Sequence, residues 1–167
     1  LGHSRKAVRL LVFRSSSRVW AELHEKAFRR LGGVTRVVVL DNLREGVITP
    51  DIYDATLNPL YRDVLKHYGA VALPCRVQDP DRKGKVESGV KYVRRNFLCG
   101  LQGREPGGLA DFNGELRKWV WEVANQRVHG TTHEQVSARW SVEQVSLQPL
   151  GGRLPYAWID DELRKVA

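Results

Sequence analysis

Two short apolar runs, "RVVVL" (36–40) and "AVALP" (70–74), constrain the fold of this chain more than anything else in it. Each follows an amphipathic stretch of helical length that stops at glycine. Continuous apolar runs of this length suit strands covered on both faces, as in parallel sheets whose crossovers are helices. Before the first run, "SSRVWAELHEKAFRRLGG" (16–33) puts Val19, Trp20, Leu23, Ala27 and Leu31 at helical spacing. Ser16 or Ser17 can cap it, and Gly32-Gly33 stops it. Before the second, "PLYRDVLKHYG" (59–69) reads as a shorter helix closed by Gly69. Upstream, "KAVRLLVFRS" (6–15) reads as a further strand.

The remaining segments complete an alternation. Residues 42–58 carry no clear period and read as an exposed loop; Asp51 and Asp54 within it, and Asp63 beside it, read as solvated or capping residues. Residues 76–83 read as a turn or loop, 84–98 as a helix, and 111–128 as another helix after a Gly/Pro break at 103–108. A short helix falls near 133–144. Strand, helix, strand, helix, strand, helix, helix predicts an α/β layered fold on a largely parallel sheet. Trp20, Trp119, Trp121 and Trp140 are most simply large core residues, and Cys75 and Cys99 small buried thiols. His67 and Tyr68 finish a helix and pack.

No apolar run approaches the ~20 residues that span a membrane, and the first residues do not resemble a signal peptide. Both features predict a cytoplasmic protein. A net charge of +8 and a pI of about 9.8 favour a polyanionic partner. The charge is concentrated: residues 76–104 hold eight Lys/Arg against three acids, an excess of five.

Within that basic segment, Val86, Val90, Val93 and Phe97 define a core-facing stripe. Roughly 100° round the helix runs a second stripe, Lys83, Glu87, Lys91 and Arg94. Glu87 is either one partner of ordinary i,i+4 ion pairs or a metal-binding carboxylate flanked by cations that hold phosphates. Gly84 and Gly89 leave room for a ligand to approach the backbone. Asp41 poses the same choice. At the end of a buried strand it either starts a turn or occupies the place where sites form beyond strand carboxyl ends.

The blocks "RRLGGVTRVVVLDNL" and "LNPLYRDVLKHYGAVALPCRVQDPDRKGKVESGVKYVRRNFL" resemble the catalytic core of IstA-type transposases. These belong to the DDE transposase/retroviral integrase superfamily, with an RNase H-like fold. "NQRVHGTT" (125–132) also resembles the Asn-x-Arg-x-His-Gly element that follows this core. The resemblance covers roughly residues 1–145.

It implies a mixed sheet flanked by helices. Residues 1–130 would form an N-terminally truncated core, 131–148 a helical extension, and 149–167 a linker toward a further domain. Asp41 would be the second acid of the triad and Glu87 the third, together binding Mg²⁺ or Mn²⁺ in a two-metal site. Forty-five residues separate the two acids, more than in retroviral integrases. Lys83, Lys85, Lys91, Arg94 and Arg95 would contact DNA near the scissile phosphate. Asn125, Arg127 and His129 would either touch DNA or fasten the last helix.

One departure accompanies the match. No Asp precedes Asp41, and the acids before it, Glu22 and Glu25, fall on a predicted helix. The first strand and its Asp are therefore expected to be missing, leaving this chain inactive by itself.

For the whole protein the resemblance implies metal-dependent 3′-end cleavage and strand transfer at element ends and target DNA. A homo-oligomer, an AAA+ ATPase helper and residence near the bacterial nucleoid are implied as well. Two other readings share the basic face: a non-catalytic DNA-binding or assembly module, and an RNase H-like nuclease that hydrolyses without strand transfer.

Overall fold

The computed structural model describes residues 1–41, 43–49, 55–75, 80–101, 103 and 106–156, with the backbone alone at 80–86. The chain forms two compact units. One comprises Arg14–Asp79 and Leu147–Ala167 and bears the strands; the other comprises Leu1–Phe13 and Pro80–Ser146 and is helical.

In the strand-bearing unit, helix α1 (Ser17–Leu31) begins where the Ser16 hydroxyl accepts a hydrogen bond from the Val19 N–H at 3.2 Å. It ends at Gly32, whose φ of 70° favours a residue without Cβ. Strand β1 (Gly33–Val34) follows, then β2 (Val37–Leu40), and β3 (Val47–Thr49) pairs antiparallel with β4 (Thr56–Leu57). Helix α2 (Pro59–Tyr68) is capped by Asn58, which accepts from the Leu60 and Tyr61 N–H groups at 3.1 and 3.4 Å, and ends at left-handed Gly69. Strand β5 (Val71–Pro74) lies parallel to β2 in the register Val37↔Val71 to Leu40↔Pro74. Strand β6 (Gln148–Pro149) returns to β1. Gly33 is required there, because a Cβ would lie 2.7 Å from Leu147 Cβ.

The core of this unit is aromatic. Phe28, Tyr61, Tyr68, Val64, Leu65 and Leu40 are buried between α1, α2 and one face of the β2–β5 pair. The His24 ring sits 5.0 Å from that of Tyr61 and 4.8 Å from that of Trp20. Its Nδ1 is 2.9 Å from the Trp20 carbonyl. Residues 153–156 pack against the same helices: the Tyr156 N–H donates to the buried Glu25 carboxylate at 3.1 Å, and Arg29 donates to the Arg153 carbonyl.

Burial holds the His24 imidazole below its usual value near 6.5, so the folded chain keeps it neutral. The unfolded chain takes up that proton first as the pH drops. Stability is therefore level above about 6.5 and falls below it. A His24→Phe variant is expected to lose less melting temperature between about pH 7 and pH 5 than the parent chain. Equal losses in thermal melts would assign the acid sensitivity elsewhere.

The helical unit contains α3 (Pro80–Asn96), α4 (Leu109–Trp119) with a π-helical turn at Val120–Ala124, and α5 (Val136–Glu143). Tyr92, Phe97, Phe112 and Trp119 form its aromatic cluster, with successive ring centroids 5.4–5.5 Å apart. Residues 1–13 run across this unit as an extended strap. The Leu11 N–H donates to the Asn113 side chain, which donates back to the Leu11 carbonyl, at 2.8 and 3.0 Å. The Glu143 carboxylate accepts the His3 and Ser4 N–H groups.

Several expectations change. The strand expected at 6–15 is this strap, because side chains of α4 and α5 take its backbone groups. The α/β class holds, but in place of one mixed sheet the described strands form three two-stranded sheets. The loop expected at 42–58 contains the β3–β4 hairpin. The helix expected from residue 84 begins at Pro80, and the one expected to reach 128 ends at Ala124.

The apolar runs are covered on one face only. Val38, Leu40 and Ala72 pack inward, whereas Val37, Val39, Val71 and Leu73 are 44–65% exposed, since α1 and α2 line a single side. Val90 and Trp121 are exposed rather than core residues, and Cys99 is exposed while Cys75 is buried. The expected features at 76–79, Asp51, Asp54 and 157–167 lie outside the described residues.

Candidate functional site

Asp41 emerges where β2 leaves the core. Leu40 is buried, its carbonyl accepts the Cys75 N–H at 2.8 Å, and the next residue is exposed. The chain turns at once: the Asp41 carbonyl accepts the Leu43 N–H at 2.8 Å, and the Leu43 carbonyl accepts those of Gly46 and Val47. Gly46 lets the turn fold onto the strand, since a Cβ there would lie 2.9 Å from Leu40 Cδ1. A parallel strand pair with a carboxylate at its carboxyl end is the arrangement in which open α/β sheets place their sites.

Glu87 belongs to the other unit, on α3. Glu87, Lys91, Arg94 and Arg95 are all exposed. Lys83 and Lys85 lie on the same helix, with their side chains outside the described residues. Lys91 stands one turn from Glu87, yet Glu87 has no ion-pair partner among the described residues. A Cβ at Gly89 would meet nothing within 4 Å, so space rather than packing surrounds that position. The contact face of α3 is turned from the expected stripe: Tyr92, Val93 and Phe97 are covered and Val90 is not.

The element at 125–129 sets the path into α5. Asn125 is buried and its carbonyl accepts the Ser137 N–H at 2.9 Å. The Arg127 carbonyl accepts that of Val136, and Val128 bridges Gln135. The His129 Nδ1 accepts the Thr131 N–H at 3.2 Å. Burial first, then the charges of Arg127, Arg5 and Arg139, hold the His129 imidazole below its usual range.

Asp41 and Glu87 thus offer hard carboxylate oxygens, the donor chemistry of Mg²⁺ and Mn²⁺. Among the described residues no three His, Cys, Asp or Glu side chains cluster as a metal site. No described helix is long and apolar enough to cross a membrane.

The chain is similar to several known transposases. It is 36% identical over 129 residues to a transposase for an IS21-like insertion sequence of Bacteroides fragilis, covering 77% of this chain and 24% of the relative. It is 31% identical over 125 residues to the transposase for insertion sequence IS21 of Pseudomonas aeruginosa, covering 75% and 32%. The chain belongs to the IS21-like transposase family. A third relative, the transposase for insertion sequence IS640 of Shigella sonnei, is 32% identical over 134 residues, covering 78% and 41%. The chain therefore spans about a quarter to two fifths of the length of these IS21-like relatives. No protein-family model matches it.

Arg5 and Arg9 have no assigned role in the sequence; their signal is the bases among the first residues, and Arg9 falls in a segment that reads as a strand.

Proposed function

We propose that this chain carries part of the catalytic core of a DDE recombinase with an RNase H-like fold, acting on DNA. Asp41 and Glu87 serve as the second and third carboxylates, and Lys83, Lys85, Lys91, Arg94 and Arg95 hold backbone phosphates. The observation that carries this reading is the exposed Asp41 at the carboxyl end of the parallel β2–β5 pair. Glu87, which has no ion-pair partner among the described residues and stands beside the exposed Lys91, Arg94 and Arg95, supports it. In the whole protein the carboxylates would hold Mg²⁺ or Mn²⁺, whose Lewis acidity stabilises charge developing on a reacting phosphate.

The reaction is 3′-end cleavage followed by strand transfer. The freed 3′-oxygen forms a new bond to a target phosphorus as the target's own 3′-oxygen–phosphorus bond breaks. One phosphodiester replaces another, so no external energy source is needed for the chemical step. Basic side chains on α3 orient the DNA and lower the cost of bringing its charge to two carboxylates. A homo-oligomer that joins two element ends, and an AAA+ ATPase partner, accompany this reading.

The test is strand transfer by the full-length protein with a pre-cut element end. Glu87→Gln is expected to lower the rate about a thousandfold or more with DNA binding retained. Retained activity would overturn the catalytic reading in favour of a non-catalytic module, whereas hydrolysis without joined products would indicate a nuclease. In electrophoretic or anisotropy titrations, Lys91→Ala and Arg94→Ala should each make the salt dependence of DNA binding shallower by about 0.9 in log–log slope. Unchanged slopes in both would remove α3 from the interface.

A further inference from the structure

The helical unit contains a second concentration of cations, gathered about the Tyr92 and Trp119 rings. The Arg127 guanidinium lies 3.6 Å over the Tyr92 ring, and the Arg9 guanidinium lies 5.9 Å over the Trp119 ring. Those two rings belong to one cluster, with centroids 5.4 Å apart, so the two forks are carried by a shared aromatic platform. The Nε atoms of Arg127 and Arg5, and the Thr132 hydroxyl, are buried without a hydrogen-bond partner among the described residues. Among the described residues no carboxylate lies within ion-pair distance of Arg5, Arg9 or Arg127. Glu134, on the segment after Arg127, is engaged by Arg139.

Like charges gathered half-buried, with donors left unsatisfied, are unfavourable unless an anion joins them. Burial first, and then the Arg127 charge, hold the Arg9 guanidinium below its ordinary value, and burial first, then the charges of Arg127, Arg5 and Arg139, hold the His129 imidazole below its own. A guanidinium held over a ring keeps its in-plane N–H donors for another partner, and such forks pair with phosphate oxygens. Arg5 has a positive φ of 63°, an unfavourable backbone for a side-chain-bearing residue, at the turn that brings it to the group.

We propose that Arg5, Arg9 and Arg127, with His129 and Thr132 beside them, form a phosphate-holding site for the backbone of a polynucleotide. The site rests on the reading above only in taking DNA as the polyanion; it requires neither metal nor the carboxylates. Arginine forks on phosphate carry no base information, so the site tethers DNA of any sequence and keeps it in register with the unit that bears α3. The paired stacking accounts for two arginines on one platform.

The experiment is anisotropy titration of a labelled duplex with the intact protein, in EDTA, over a range of salt. Arg9→Gln and Arg127→Gln should each reduce the log–log salt slope by about 0.9. The loss should be the same for unrelated duplex sequences, and Arg127→Lys should retain the slope. Because Arg127→Gln removes a stacked group, thermal melts accompany it; Arg9→Gln, on the strap, carries the test if Arg127→Gln unfolds. Parental slopes in both variants would overturn the proposal. So would stabilisation by inorganic phosphate that needs Arg127 while the DNA slope stays unchanged, since that marks a free-anion site. A parent protein that binds no duplex overturns both this site and the DNA reading, whereas a binding parent with unchanged variant slopes overturns this site alone.

Discussion

Asp41→Asn in the full-length protein is expected to stop strand transfer as completely as Glu87→Gln does, by about a thousandfold or more. Combining the two should cost almost nothing further. Two carboxylates that hold the same ions act as a unit. Once either is neutral the arrangement is lost, and free energies of such pairs do not add. Independent contributions, with the double variant slower by the product of the single effects, would show that the two acids do different work. The turn after Asp41 is held by backbone hydrogen bonds, which the substitution keeps. An unchanged melting temperature with lost turnover is thus the expected pair of results. A large drop in melting temperature would make Asp41 a structural turn residue instead.

The second large effect concerns stability. Leu40→Ala is expected to destabilise the strand-bearing unit by about 2–5 kcal/mol, and Tyr61→Ala by about 3–5 kcal/mol. Leu40 is 4% exposed and Tyr61 fully buried, and both face the aromatic core. Val39→Ala, one residue from Leu40, should cost under about 1 kcal/mol, because Val39 is 53% exposed. Urea denaturation of the three variants provides the comparison. Equal losses for Val39 and Leu40 would mean that β2 is covered on both faces in solution. In the sequence the four residues of "VVVL" are interchangeable apolar letters. Which of them packs is settled by pairing with β5 and by where α1 and α2 lie.

The same contrast applies to the candidate sites. That a carboxylate ends the strand at 41, and that an acid stands among bases at 87, is legible because strand length, caps and helix period are properties of a few adjacent residues. Ser16, Gly32 and Gly69 mark α1 and α2 for that reason. The strap was not legible. "KAVRLLVFRS" has the composition of a strand, but its backbone is engaged by Asn113, a residue 102 positions from Leu11. The contact face of α3 was likewise decided by rings on α4, which chose Tyr92 over Val90.

By itself, then, the sequence determined the helices and strands whose ends are set by local capping, the carboxylate after β2, the basic character of α3 and membership of the IS21-like transposase family. Only the tertiary structure decided which face of β2 and β5 is buried, that residues 1–13 form a strap, and that Arg9 and Arg127 share an aromatic platform. The division follows from range. Caps and periodicity act over one or two helical turns, whereas burial and the company a charge keeps depend on partners brought in from distant parts of the chain.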